Sequence, residues 1–186
     1  MNQASGATAQ GALSIAERFV AARLTATPLA AYPGTIPPDM DAAYLCQDEA
    51  IALWPDEIVG WKVGWIGEDQ QRVYREERVV GPIFRNAVHL IRLDEEIEFP
   101  VYRGGFAAVE AEYVFRIAAD APADKLSWTD AEAADMVGAL YIGVEPASSP
   151  LATINDLGPA VAVSDFGNHA GLLLGPAAAD WRHRIA

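Results

Sequence analysis

The sequence predicts an α+β fold: an N-terminal helical arm followed by a mixed, mostly antiparallel β-sheet core. Two observations predict it. Helix-start residues with apolar side chains at helical spacing concentrate at the front of the chain, between residues 14 and 54. Beyond them the chain is dominated by short apolar or alternating runs broken by glycine and proline, the pattern of strands and turns.

The elements follow in order. Met1 to Gly11 is small and polar, without the basic and apolar regions of a signal peptide, and reads as a frayed tail. Ser14-Ile15-Ala16-Glu17 fits a capping box, and Ile15, Phe19, Ala22 and Ala26 continue one helical face up to Pro28. Residues 28–38 carry four prolines and form a loop or arm. Asp39 or Asp41 caps a second helix reaching about Trp54, with Ala43, Cys46, Ala50 and Leu53 on its apolar side. Residues 58–66 read as a glycine-interrupted strand, and residues 68–75 as a short polar helix. Residues 79–84 and 89–91 read as short extended pieces. Glu95, Glu96 and Glu98 form a solvated acidic edge. Residues 107–117 alternate as a strong strand. Thr129-Asp130-Ala131-Glu132 is a second capping box, opening a helix to about Ala139, and residues 140–144 form a strand that delivers Glu145 at its end. Apolar strands are expected at 160–163 and 172–174.

Composition bounds the function. The chain has 186 residues and a net charge of -13, which opposes binding to nucleic acid or to an anionic membrane surface. No apolar run approaches the ~20 residues that span a bilayer, and a cytoplasmic location is expected. One cysteine, Cys46, allows no intrachain disulfide or paired-thiolate zinc site and reads as a small buried hydrophobe. Nucleotide-binding glycine loops, the G-x-S-x-G elbow and metalloprotease helices are absent.

Chemistry is suggested by charges in apolar runs. In Val109-Glu110-Ala111-Glu112-Tyr113, alternation puts both glutamates on one strand face and Val109, Ala111, Tyr113 and Phe115 on the other, with Tyr113 expected in the core. Two like charges ~7 Å apart repel by roughly 2–3 kcal/mol at an effective dielectric near 20. A divalent cation between them turns that repulsion into binding. The same spacing also fits the solvent face of an antiparallel strand. Glu145 is a third carboxylate in an apolar run, and oxygen-only ligation suits Mg²⁺, Mn²⁺ or Ca²⁺. Lys62, one of only two lysines, lies within Gly60-Trp61-Lys62-Val63-Gly64, either snorkelling at a core edge or held in a pocket. Asp165 precedes Phe166-Gly167-Asn168-His169 and either orients a reacting group or caps a turn.

These pieces in this order resemble the fumarylacetoacetate hydrolase superfamily, most closely its 2-keto-4-pentenoate hydratase and 4-oxalocrotonate decarboxylase branch. The carriers are Ala43-Tyr44 with Gln47, Gly60 to Gly64, Gly81-Pro82-Ile83-Phe84, Val109 to Glu112, Glu145, and Asp165 before Gly171 and Leu174-Gly175. The resemblance spans about residues 40–176. It implies a β-roll whose C-terminal part is absent here. It divides the chain into a helical arm with the first strand (1–80) and a metal-binding catalytic core (81–186). It also implies one Mg²⁺ or Mn²⁺ on Glu110, Glu112 and Glu145, chelating a small 2-oxo acid of aromatic catabolism and stabilising its enolate. Lys62 is then the acid/base or anchoring cation and Asp165 its pocket partner, with Gly64, Phe84 and Asn168 contacting substrate. The implied activity is a hydratase or lyase. The alternatives are a decarboxylase, an acylpyruvate-type C–C hydrolase, or a non-catalytic member that binds a 2-oxo acid or serves as an assembly subunit. A homo-oligomer is expected. Three places depart from the family pattern: Trp65-Ile66 follows Gly64, Pro146 to Pro150 carries no arginine, and Asp165-Phe166 stands where the family has an Asp-Asn pair.

Overall fold

A computed structural model describes residues 2–92 and 94–184. Two helices, α1 (Asn2–Leu24) and α2 (Met40–Leu53), open the chain. A hairpin follows, built from β1 (Ile58–Trp65) and β2 (Arg78–Phe84) with α3 (Glu68–Tyr74) in its connection. The remaining strands are β3 (Val88–Leu90), β4 (Phe106–Ile117), β5 (Val137–Ser149) and β6 (Leu172–Ala177), in sheet order β3-β6-β5-β4. Short helices α4 (Asp130–Asp135), α5 (Pro159–Ser164) and α6 (Trp181–Arg184) lie between and after them. Among the strands of the described residues only the β3–β6 pair is parallel, so the fold is α+β with mixed, mostly antiparallel sheets, as the sequence predicts.

Local chemistry accounts for the boundaries. Asp39 caps α2, accepting the Ala42 N–H at 2.9 Å. Thr129 and Glu132 form the expected capping box of α4. Ser14 does not start a helix: α1 begins at Asn2, because the alanine-rich run before Ser14 propagates a helix once one exists. Helix α4 stops at Asp135, since Val137 and Ala139 are drawn into the β4 ladder. For the same reason Glu145 lies inside β5, which continues to Ser149. Residues 160–163 are helical, not extended. Gly158 (φ 97) turns the chain and Pro159 takes the first helical position, a start signal that an unbroken apolar run cannot supply by itself.

The core joins the helices to the sheets. Ile15 and Phe19 of α1 pack with Cys46 of α2, Leu151, Ile154 and Val161. Ala43 packs with Ile66, Val79 and Val163. On α2, Ala43, Cys46 and Ala50 are buried as expected, while Leu53 is 43% exposed and Gln47 is buried instead. Gln47 joins two elements: its amide donates to Val80 O and to Val163 O, both at 3.0 Å. Tyr44 accepts the Val80 N–H at 3.0 Å. These contacts fix β2 against α2 and α5. Cys46 is buried as anticipated, and burial pushes its thiol up, away from thiolate chemistry. Tyr113 is not core: it is 70% exposed, because the sheet face it shares with Val109 points outward. Glu95, Glu96 and Glu98 are exposed. No helix among the described residues is long and apolar enough to cross a membrane.

Candidate metal centre

The β4–β5 ladder assembles the acidic cluster. Glu110 is paired in register with Glu145, and Glu112 with Gly143, so all three carboxylates share the face opposite Val109 and Tyr113. One oxygen from each of the three lies within 4.8 Å of the others. Glu145 is buried, Glu112 half-buried, and Glu110 the most open. Burial, then the charges of Glu145 and Glu110, push the Glu112 carboxyl above its ordinary value, against an opposing pull from Lys62. The cluster holds its negative charges at an electrostatic cost. The single ammonium of Lys62 is too little to balance three carboxylates, and a divalent cation would supply the rest. The donor set is all oxygen, with room for a hard cation, so Mg²⁺, Mn²⁺ or Ca²⁺ fits the residues present.

Strand β1 supplies Lys62 from across the site. Its Nζ lies 3.5 Å from Glu145 Oε1 and donates to Gly167 O at 3.0 Å and Asn168 Oδ1 at 3.3 Å. Its side chain is nearly buried, so this is a held lysine and not a snorkelling one. Gly64 follows on the same strand face, where a Cβ would stand 3.7 Å from that Nζ; the glycine leaves space beside the ammonium.

The acceptors for Lys62 come from an unusual turn. Phe166, Gly167 and Asn168 all adopt left-handed φ (57°, 64° and 57°). For a non-glycine residue this costs roughly 1–2 kcal/mol. The surroundings impose it. Arg23 Nη1 donates to His169 O at 3.0 Å, Asn168 Nδ2 donates to Asn155 Oδ1 at 3.0 Å, and the Phe166 ring packs against Phe84 and Trp54. From below, Gly81 lets β2 approach: a Cβ there would meet Phe166 O at 2.2 Å.

The structure thus brings Glu110, Glu112, Glu145, Lys62 and Asn168 together, with Gly64 beside them. Asp165 lies elsewhere in the network. Its buried carboxylate accepts from Arg23 Nε at 2.5 Å and from Ser149 Oγ at 2.6 Å, so it faces an arginine of α1 and not Lys62. Phe84 is buried under the 166–168 turn. Two residues were not singled out from the sequence. Arg23 joins α1 to β5 and the turn through Asp165, His169 O, Ser148 O and Asp165 O. His169 is buried, with Nδ1 2.9 Å from Glu145 Oε1. An ionised carboxylate only accepts, so Nδ1 is the donor there. It fixes which way the Glu145 carboxylate points, as partners of metal-ligating side chains do. Nothing local in the sequence marks Arg23; His169 had only its adjacency to Asp165.

Two solved structures share this architecture. They are 4-oxalocrotonate decarboxylase from Pseudomonas putida G7 complexed with magnesium and adipate, and the same enzyme complexed with calcium and acetate. The first is 17% identical with a TM-score of 0.60, covering 91% of this chain and 64% of that one. The second is 19% identical with a TM-score of 0.60, covering 91% and 63%. The chain shares the fold of 4-oxalocrotonate decarboxylase. It spans about 64% of the length of that enzyme. The decarboxylase fold is the one the sequence motifs imply. Neither a family model nor a curated protein matches the sequence.

Proposed function

We propose that this chain is a divalent-metal-dependent enzyme of the fumarylacetoacetate hydrolase type, a hydratase or lyase acting on a small 2-oxo acid. The observation that carries it is the convergence of Glu110, Glu112 and Glu145 with Lys62 at 3.5 Å, in the decarboxylase fold. A bound Mg²⁺ or Mn²⁺ supplies Lewis acidity that stabilises enolate character in the 2-oxo acid. The residues do the rest. His169 and Lys62 hold Glu145 by one oxygen and leave the other to the centre. Lys62 keeps its positive charge directed at the cluster through Gly167 O and Asn168 Oδ1. Its longest contact, to Glu145, is the one most readily exchanged for a substrate anion or a proton transfer. Asp165 acts at one remove, by holding Arg23 and with it the turn that carries these acceptors.

Calorimetry with Mg²⁺, then with oxalate as an enolate mimic, tests the centre. Saturable binding of both, lost in Glu112→Gln, is expected; turnover that persists without metal overturns the proposal. The decarboxylases that share the fold favour loss of CO₂ as the second reading. Product analysis separates the reactions: hydration yields one adduct, decarboxylation releases CO₂, and C–C hydrolysis yields two fragments. Binding without turnover of any 2-oxo acid leaves a non-catalytic subunit.

A further inference from the structure

His169, which holds Glu145, also lines a cavity of about 370 Å³ that none of the three glutamates lines. That volume is at the lower end of the roughly 300–1,000 Å³ typical of small-molecule sites. It is room for one substituted ring. The walls are aromatic: Trp54, Phe84, Phe99, Tyr102 and Phe166. Phe84, Trp54 and Phe166 are mutually packed, with ring centroids 5.1–5.5 Å apart, so this part of the wall is rigid.

The charges around the cavity define what it takes. Arg23 is the one lysine or arginine among the lining residues. Four of its five N–H groups are engaged, Nε on Asp165, Nη1 on His169 O, Nη2 on Ser148 O and Asp165 O, and Asp165 balances its charge. Its face stacks 5.1 Å from the Phe166 ring. The lining's one carboxylate, Asp56, accepts the Glu57 and Asn86 N–H groups at 2.8 and 2.9 Å. A ligand carboxylate entering here finds no lysine or arginine whose charge is unbalanced, and it meets Asp56. A ligand ammonium meets Asp56, whose carboxylate keeps its charge and spare lone pairs, so the lining turns away an anion and not a cation. A ring without a negative charge avoids that repulsion and gains apolar and stacking contact on several sides.

We infer that this cavity, which shares His169 with the metal centre, is a binding site for an aromatic group that carries no negative charge on its ring end. Such a ring comes from one of two sources, the non-reacting end of a 2-oxo acid or a free aromatic molecule. Only the first source rests on the function proposed above.

Calorimetry on the 186-residue protein decides it. Phenol and benzoate present one ring without and with a negative charge and need no metal. Phenol is expected to bind saturably and about tenfold or more tighter than benzoate, the penalty for an unpaired anion in an apolar site beside Asp56. Ala87→Trp, which fills the cavity, should abolish phenol binding, and Phe99→Ala should weaken it if the tryptophan variant does not fold. Leu126→Ala, 94% exposed, is the control and should change nothing. No saturable phenol binding, benzoate binding as tightly as phenol, or phenol binding unchanged in both cavity variants overturns the assignment. With Mg²⁺ present, phenylpyruvate binding more tightly than 2-oxoglutarate identifies the ring as part of the 2-oxo acid; equal affinity beside intact phenol binding identifies a free aromatic ligand. If Mg²⁺ and oxalate do not bind, the metal centre fails while the phenol series still tests the cavity.

Discussion

Glu112 faces Glu110, Glu145 and Lys62, and its carboxyl is raised by burial and by its two acidic neighbours. A group whose folded value lies above its unfolded one binds more protons in the fold. Its stabilising contribution is full below the unfolded value and is lost as pH rises through the folded one. Metal-free protein should therefore lose stability from this group as pH climbs from the ordinary carboxylate range through the raised value. Thermal melts across that range should show it, and Glu112→Gln should flatten it. Saturating Mg²⁺ should oppose the loss, since a cation needs the ionised form. The Arg23–Asp165 pair makes a different prediction. Both side chains are buried, and removing one partner of such a pair costs about 3–5 kcal/mol. Urea unfolding of Arg23→Met should fall in that range, and adding Asp165→Asn should recover part of it. The glutamates and Lys62 could be read from the sequence because each is a charge set in an apolar run. Arg23 could not, because Asp165 stands 142 residues away and only tertiary structure joins them.

Among the elements, the 166–168 turn and the β1–β2 hairpin depend on each other. Gly81 admits the Phe166 carbonyl, and that turn presents Gly167 O to Lys62 on β1. Gly81→Ala should destabilise by roughly 1–3 kcal/mol, as overpacking does, and should weaken oxalate binding because the Lys62 acceptors move. Equilibrium unfolding and calorimetry on one preparation check both halves. Strands were legible where alternation or β-branched runs gave a period, as in β1, β2 and β4. Helix α5 was not, because four consecutive apolar residues carry no period and Pro159 was the sole cue. The left-handed turn was invisible for a related reason: only its middle residue is glycine, and packing imposes the conformation on Phe166 and Asn168.

Over the whole molecule, two strands carry exposed apolar faces. Val59, Trp61, Val63 and Trp65 on β1 point outward, as do Val109, Tyr113, Phe115 and Ile117 on β4. Apolar patches of this kind favour association. Sedimentation should show concentration-dependent self-association of the 186-residue protein, reduced by Val109→Lys with Tyr113→Lys. Both side chains are largely exposed, so stability should change little, by roughly 0.5 kcal/mol at most. The alternation of β4 gave its two faces from sequence but not which was buried. That depends on what packs above each face, and a strand's own pattern is silent on it.

The register of β4 against β5 works as a ruler for the cluster. Twelve residue pairs, Phe106↔Ser149 through Ile117↔Val137, set Glu110 opposite Glu145, and the one irregularity falls at Arg116/Ile117, beyond the glutamates. Length changes therefore have opposite consequences on the two sides of Ile117. An insertion in residues 118–129, outside the ladder, leaves every pair opposite its partner and should be silent. Deleting one residue between Glu112 and Arg116 shifts the strand by a step relative to its turn, sending Glu110 and Glu112 to the outer face and Val109 and Tyr113 inward. Tolerance to such changes, mapped along the gene, would locate the ruler without any assay of activity.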